Sequence, residues 1–234
     1  MKSHIFAWSL VLGFTACSGS DLDPGSGDDP GSGTETLQVN GSVRAEPRLS
    51  NARTAGEFDI EISVDIQLNG QDVTTGSVTI TSSSGPIVLA YDGSGRWRGG
   101  GVGYDEVYVL DVDSGNDSVH DVRVDGPSIH TFDQPAAGAA VDASMPLMLK
   151  WSSKGADSAS VDAENLDRVS IEDSGSYMLA ANALRSEKDK PHENQITIAR
   201  TNRIAPAGAT AGSELAVSVE NDLTVIAMPN PAAP

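Results

Sequence analysis

Apolar and polar residues alternate with a period of two from Leu37 to near the end of the chain. The longest example is EFDIEISVDIQL, residues 57–68, in which Phe, Ile, Val and Leu alternate with acidic or polar residues. A period of two places all the apolar side chains on one face of a β-strand, whereas a helix needs a period of 3.6. Asn69-Gly70 follows directly and predicts a tight hairpin, because this dipeptide adopts left-handed backbone angles easily.

Shorter strands surround this one in the first half of the chain. The segments LQVNGSV, GSVTIT, PIVLAY, RWRGG, EVYVLDV and HDVRVDG alternate in the same way, and SSSGP, DGSG and DSGND supply turns between them. About seven strands in 90 residues is the spacing of a β-sandwich.

The pattern breaks at VDGPSIHTFDQPAAGAAVD and then resumes. Pro127, Pro135 and a run of small residues mark a domain boundary near residue 127. The second half contains PLMLKWSS, ASV, RVSIE, GSYMLAA, NQITIAR, ELAVSVE and DLTVIAM, which predict about seven further strands. We therefore predict an all-β chain with two tandem antiparallel β-sandwiches, residues 37–126 and 127–234. Their architecture resembles that of tandem immunoglobulin-like or fibronectin-like modules. The loop LRSEKDKPHEN is expected to project, with a short helix over ANALRSEKD as an alternative.

The start of the chain has the features of a targeting signal. Residues 5–16, IFAWSLVLGFTA, form an apolar run that is too short for the roughly 20 residues of a membrane span. It has the length of a signal-peptide core, and residues 1–16 are predicted to be a signal peptide.

Thr15, Ala16 and Cys17 resemble the lipobox of bacterial lipoproteins, although Phe14 stands where that family usually has Leu. The resemblance implies that Cys17, the only cysteine, carries a diacylglycerol and anchors the chain in a membrane. Ser18 in place of Asp implies the bacterial outer membrane, facing the periplasm or the cell surface. The alternative is a secreted protein with a spare thiol.

The segment after the cysteine is almost entirely Gly, Ser, Asp and Pro. Residues 18–36 contain five acidic side chains and one large apolar side chain, Leu22. Such a composition buries little surface, so residues 17–36 are predicted to be a disordered acidic tether.

Charge and composition exclude some classes of partner. The net charge of −18 argues against binding to nucleic acid or to anionic lipid headgroups, which both need a basic face. Aromatic residues make up only 5% of the chain, so the core is expected to consist mainly of aliphatic side chains.

No motif in the mature chain identifies a reaction, so we expect no catalytic residue, no metal and no cofactor. His120, His130 and His192 lie in separate segments without ligand spacing, and His130 is expected to pack at the domain junction. Ser174 and Ser176 in EDSGS are interpreted as turn residues.

Two short stretches are candidates for binding. The acids of DVDSGNDSVHD, namely Asp111, Asp113, Asp117 and Asp121, do not match a calcium loop, so a polar hairpin is predicted, with weak calcium binding as the alternative.

In RWRGG, Trp97 is expected to enter the first core as Trp151 enters the second. Arg96 and Arg98 would then face solvent as a positive spot able to bind a carboxylate or a sugar.

The stretch DSGSYMLAA resembles the Asp-x-Gly-x-Tyr corner of immunoglobulin domains at Asp173, Gly175 and Tyr177, but the paired cysteines of that family are absent. Such modules mostly bind or space other domains. We predict a lipid-anchored structural or protein-interaction module that meets a protein of the envelope, with β-strand addition at an open edge as its mode. The alternative is glycan- or calcium-dependent adhesion, and an enzyme is the third class.

Overall fold

A computed structural model describes residues 22–25 and 27–230. The described residues form eighteen β-strands and one short 3-10 turn, Ala55–Glu57. None of the described elements is a helix long and apolar enough to cross a membrane. Cys17 and the predicted signal peptide lie outside the described residues.

The strands before residue 127 follow the alternating segments of the sequence. They are β1 (Ser32–Gly33), β2 (Leu37–Pro47), β3 (Phe58–Leu68), β4 (Gln71–Asp72), β5 (Ser77–Ser82), β6 (Gly85–Val88), β7 (Ala90–Tyr91), β8 (Arg96–Val102), β9 (Val107–Ser114) and β10 (Asp117–Asp125). Asn69 and Gly70 have φ of 53° and 76°, and the hairpin that they were predicted to form joins β3 to β4.

The remaining strands are β11 (Phe132–Gln134), β12 (Ala140–Val141), β13 (Leu147–Trp151), β14 (Ser158–Ala163), β15 (Leu166–Ile171), β16 (Ser176–Leu179), β17 (His192–Ile204) and β18 (Glu214–Ala227). The prediction of an all-β chain built from β-sandwiches is confirmed.

The two sandwiches share one large sheet. Its ten strands include the path β15-β14-β17-β18-β2-β3-β8-β7, with β12 paired to β18 and β4 to β3. A five-stranded sheet, β1-β10-β9-β5-β6, covers one part of it, and a three-stranded sheet, β11-β13-β16, covers the other. Each covering sheet encloses a separate core, in which most side chains are aliphatic.

The last strand contributes to both cores. Residues 214–219 of β18 pair in parallel with β2, and Leu215, Val217 and Val219 belong to the first core. Leu223, Val225 and Ala227 lie on the same face and belong to the second core. The domain boundary near residue 127 stays a prediction. The first core, however, includes side chains of β18, which lies far beyond that boundary in the sequence.

The structure corrects the prediction that ELAVSVE and DLTVIAM are separate strands. The polar residues Glu220, Asn221 and Asp222 interrupt the apolar pattern, yet they pair with β17 without a break in register. Asn221 is fully buried and stays on the core-facing side of β18, because alternation places residues 219, 221 and 223 on one face.

Part of the predicted tether is ordered. Ser32 and Gly33 pair with β10, and Asp29 exchanges backbone hydrogen bonds with Arg123 at 3.0 and 2.8 Å. A Cβ on Gly208 would overlap the backbone of Ser32, so glycine permits this close approach. For residues 27–36 the structure therefore departs from the predicted disorder, since backbone hydrogen bonds to an edge strand need no apolar side chains.

The loop between β16 and β17 contains no helix. Asn182 has a φ of 64°, which ends any helical path there. The buried Asn194 side chain accepts a hydrogen bond from the Arg185 N–H (2.7 Å) and donates one to the Arg185 carbonyl (2.9 Å). These bonds use backbone groups that a helix over ANALRSEKD would need for itself.

Where the two cores meet, a buried polar side chain forms hydrogen bonds with backbone N–H and C=O groups. The Asn221 amide donates to the carbonyls of Ala52 (2.8 Å) and His130 (2.6 Å), and its oxygen accepts from the Ala52 N–H (3.0 Å). His130 packs at this junction as predicted, fully buried, with its ring 6.0 Å from that of Phe132. Neither ring nitrogen of His130 has a hydrogen-bond partner among the described residues.

We expect His130 to make folding sensitive to mild acid. Burial and then the charge of Arg200 lower the pKa of His130 to about 3. The unfolded chain binds the proton near the ordinary pKa of about 6.5, so stability falls as the pH drops below that value. Urea unfolding should show a loss of about 2 kcal/mol between about pH 7 and pH 5 that His130→Gln removes. His120→Gln, at a partly exposed residue, serves as the control, and an unchanged slope in His130→Gln would contradict the assignment.

Candidate functional site

A buried ion pair fixes the chain just before β16. Arg200 of β17 and Asp173 have side chains that are 1% and 3% exposed, and Arg200 Nη2 lies 2.8 Å from Asp173 Oδ2. Arg200 Nε also donates to both carboxylate oxygens, and Nη1 donates to the Ser128 carbonyl at 2.7 Å. The guanidinium thus joins the segment between β10 and β11 to the link between β15 and β16.

Asp173 is bonded on its other sides as well. The Trp151 indole donates to Oδ1 at 3.1 Å, and the Ala156 N–H donates to Oδ2 at 2.7 Å. Burial would raise the pKa of Asp173, but the hydrogen bonds from Arg200, Ala156 and Trp151 outweigh it and lower the pKa. The carboxylate therefore stays ionised, and the role of Asp173 is to hold the strand that follows.

The corner predicted at Asp173, Gly175 and Tyr177 starts β16. Gly175 has a φ of 84°, and its carbonyl accepts a hydrogen bond from the Trp151 N–H at 3.0 Å. Tyr177 follows and packs, half-buried, against the second core. The corner therefore fixes the register of β16 against β13, in which Leu149 faces Tyr177 and Met148 faces Met178.

The free side of β16 offers backbone hydrogen-bonding groups. Opposed residues in an antiparallel pair of strands alternate between hydrogen-bonded and non-hydrogen-bonded. Trp151 and Gly175 are a hydrogen-bonded pair. By alternation, Met148–Met178 and Lys150–Ser176 are non-hydrogen-bonded pairs. The N–H and C=O groups of Met178 and Ser176 therefore point away from β13. The Ser174 hydroxyl already donates to the Ser176 carbonyl at 3.1 Å.

Most other sheet edges in the described part of the chain are short, charged or interrupted by proline. β1 and β7 have two residues each, β6 contains Pro86, β11 contains Asp133, and β15 contains Asp167 and Arg168. Charges and proline are what natural edges use to prevent strand addition. The sequence Ser-Tyr-Met-Leu of β16 has neither over four residues.

An exposed methionine pair lies beside this edge. Met148 and Met178 are directly opposed on the outer face of the three-stranded sheet and are 39% and 50% exposed. In a non-bonded pair the Cβ atoms are about 4.5–5.5 Å apart, so the two side chains form one apolar surface. Methionine is flexible and suits surfaces that bind varied partners.

The edge strand of the facing sheet is only partly covered. β15 is the edge of the facing sheet, and a four-residue link, residues 172–175, joins it to β16. Its apolar side chains Leu166, Val169 and Ile171 pack against the second core but are only half-buried.

The predicted positive spot is neutralised by acids. Trp97 is buried as predicted, and its indole donates to the Val73 carbonyl at 3.0 Å. Arg96 pairs with Asp65 at 3.2 Å, and Arg98 pairs with Glu61 and Asp92, each at 2.8 Å. These two arginines are therefore already paired with carboxylates, two from β3 and one from the turn between β7 and β8.

The other candidate residues do not assemble into a site. The stretch from Asp111 to Asp121 forms the predicted polar hairpin between β9 and β10, with His120 lying 3.3 Å from Asp113 and 3.6 Å from Asp111. His192 lies 3.2 Å from Glu187 in the second sandwich. Among the described residues no group of three or more His, Cys, Asp or Glu could hold a metal ion.

Sequence reasoning missed the edge of β16 and its methionines. A weak signal existed, because PLMLKW and SYMLA both place Met among outward-facing positions of alternating strands. Pairing was needed to show that Met148 and Met178 are opposed and that, among the residues that the structure describes, no further strand lies beside β16 in its sheet.

Comparisons with known proteins give only a distant likeness. No family model and no curated protein matches the chain. Fibronectin(III)-like modules of Clostridium thermocellum CbhA align with a TM-score of 0.26 and 12% identity, over 80% of this chain and 94% of that chain. A structure of a 1.5-MDa bacterial ice-binding adhesin aligns with a TM-score of 0.24 and 13% identity, over 82% and 66%. At these TM-scores the likeness carries no argument.

Asp173→Asn should destabilise the protein strongly. The variant keeps the shape but leaves the Arg200 charge buried without its partner, which costs about 3–5 kcal/mol in unfolding free energy. Asp65→Asn is the matched control, because its ion pair with Arg96 is half-exposed and should contribute less than about 1 kcal/mol. Urea unfolding followed by tryptophan fluorescence measures both, and equal losses would contradict the anchoring role of Asp173.

Proposed function

We propose that the protein is a protein-interaction module that binds an extended segment of another protein by β-strand addition at β16. The observation that carries this proposal is the uncharged four-residue edge flanked by the exposed Met148–Met178 pair. Strand addition uses main-chain hydrogen bonds for affinity and alternate side chains for specificity. β16 offers both, through the outward backbone groups of Met178 and the methionine surface.

The anchored position of the edge supports such a role. The link before β16 is held by Arg200, Trp151 and Ala156, so the edge needs little ordering when a partner binds. A pre-organised site loses less conformational entropy on association than a mobile one.

The proposal includes a lipid anchor on Cys17 that attaches the module to the bacterial outer membrane. Pro24 is seven residues after Cys17, a distance of at most about 25 Å of extended chain. Gly25 donates to the Asp125 carboxylate at 2.9 Å, close to the junction of the sandwiches. A lipid on Cys17 would therefore hold that junction within about 25 Å of the membrane surface.

Met178→Lys should abolish strand addition without unfolding the chain. A charge on an exposed edge residue disfavours pairing with a new strand. Peptides selected against the wild-type protein from a random extended library should bind Met178→Lys at least about tenfold more weakly by fluorescence anisotropy.

Met228→Lys is the matched control, since Met228 is 46% exposed and lies outside β16. Its affinity for the same peptides should stay within about twofold of wild type. Selected peptides with N-methylated backbones should also lose binding. Equal binding by both lysine variants would contradict the proposed site.

Cys17→Ser should release the chain from the membrane fraction. Cells labelled with a radioactive fatty acid should incorporate label into the wild-type protein and none into the variant, because the thioether needs the thiol. Label retained by Cys17→Ser would contradict the anchor and would leave the strand-addition site unaffected.

A further inference from the structure

The strongest unassigned feature beside the edge of β16 is a lysine without a partner. Lys150 lies on β13, two residues after Met148 and on the same outward face, and it is exposed. No ion pair or side-chain hydrogen bond of Lys150 exists among the described residues. Its cross-strand neighbours are neutral, Gln134 on β11 and Ser176 on β16.

The two rows on this outer face differ in chemistry. One row contains Met148 and Met178, and the other contains Lys150 and Ser176. A strand added to β16 would extend both rows by one residue each, because side chains on the same face recur every second residue. The residue beside Met178 would contact the apolar methionine surface. The residue beside Ser176 would contact a small hydroxyl, with the Lys150 ammonium one strand further in.

We propose that the partner segment is an antiparallel strand with an apolar residue beside Met178 and a glutamate two residues later beside Ser176. This inference rests on the proposed function and names the chemistry of its partner. Strands lie about 4.8 Å apart, so the partner's glutamate would be about 10 Å from the backbone of Lys150. Two long side chains span that distance above the small Ser176.

The negative charge of the whole protein does not oppose this pairing at contact distance. Charges more than about 8 Å away are largely screened at physiological ionic strength, whereas Lys150 and the glutamate would be in contact. Opposite charges across strands favour pairing, and like charges disfavour it.

Two nine-residue peptides test the inference. Peptide TVTLTETVT places Leu beside Met178 and Glu beside Ser176 in the antiparallel orientation, and TVTLTKTVT replaces that Glu with Lys. The wild-type protein should bind the Glu peptide about fivefold more tightly than the Lys peptide in fluorescence anisotropy. Lys150→Glu should reverse this preference.

Lys154→Glu is the control, because it makes the same charge change at an exposed residue outside β13. It should keep the preference for the Glu peptide. Suppose that both peptides bind the wild-type protein and that Met178→Lys weakens the binding of both. If Lys150→Glu then leaves the preference for the Glu peptide unchanged, the inference is wrong and the proposed function stands. If neither peptide binds wild type at about 1 mM, a weak limit for any specific site, both are wrong.

Discussion

The architecture depends on one constraint: the β17–β18 hairpin crosses from one hydrophobic core to the other without a break. Alternation then requires the same face of each strand to serve both cores. The apolar residues of β18 do so on either side of Asn221, and those of β17 do so on either side of Arg200. A polar residue at each crossing is buried, and a buried polar group must be hydrogen-bonded or paired.

The loops at the junction are arranged to meet that requirement. Asn221 binds the backbone at Ala52 and His130, and Arg200 binds Ser128 and Asp173. A buried ion pair contributes little net stability compared with apolar residues, but it is costly to leave half-paired. The pair therefore selects one position for the link before β16, so that the junction and the candidate edge are coupled through Asp173.

The two sandwiches differ in how their edges are closed. In the first, the Gly- and Ser-rich segment with β1 covers β10, and β6 contains a proline. In the second, β16 has no strand on its outer side within the described part of the chain, and apolar side chains of the other edge strand, β15, are only half-buried. The second sandwich thus has the uncharged open edge on which the proposed strand addition rests, while acidic side chains elsewhere keep the surface charged.

The sequence by itself determined that the chain is all-β, where most of its longer strands lie, and which residues form most of the two cores. Alternation in EFDIEISVDIQL and its neighbours placed Phe58, Trp97 and Trp151 inside, because a half-buried strand leaves no other arrangement for its apolar residues. Only tertiary structure decided that Glu220-Asn221-Asp222 continues a strand, that Ser32 and Gly33 pair with an edge, and that Met148 lies opposite Met178. Each of these depends on hydrogen bonds between segments far apart in the chain, and local periodicity does not encode which segments pair.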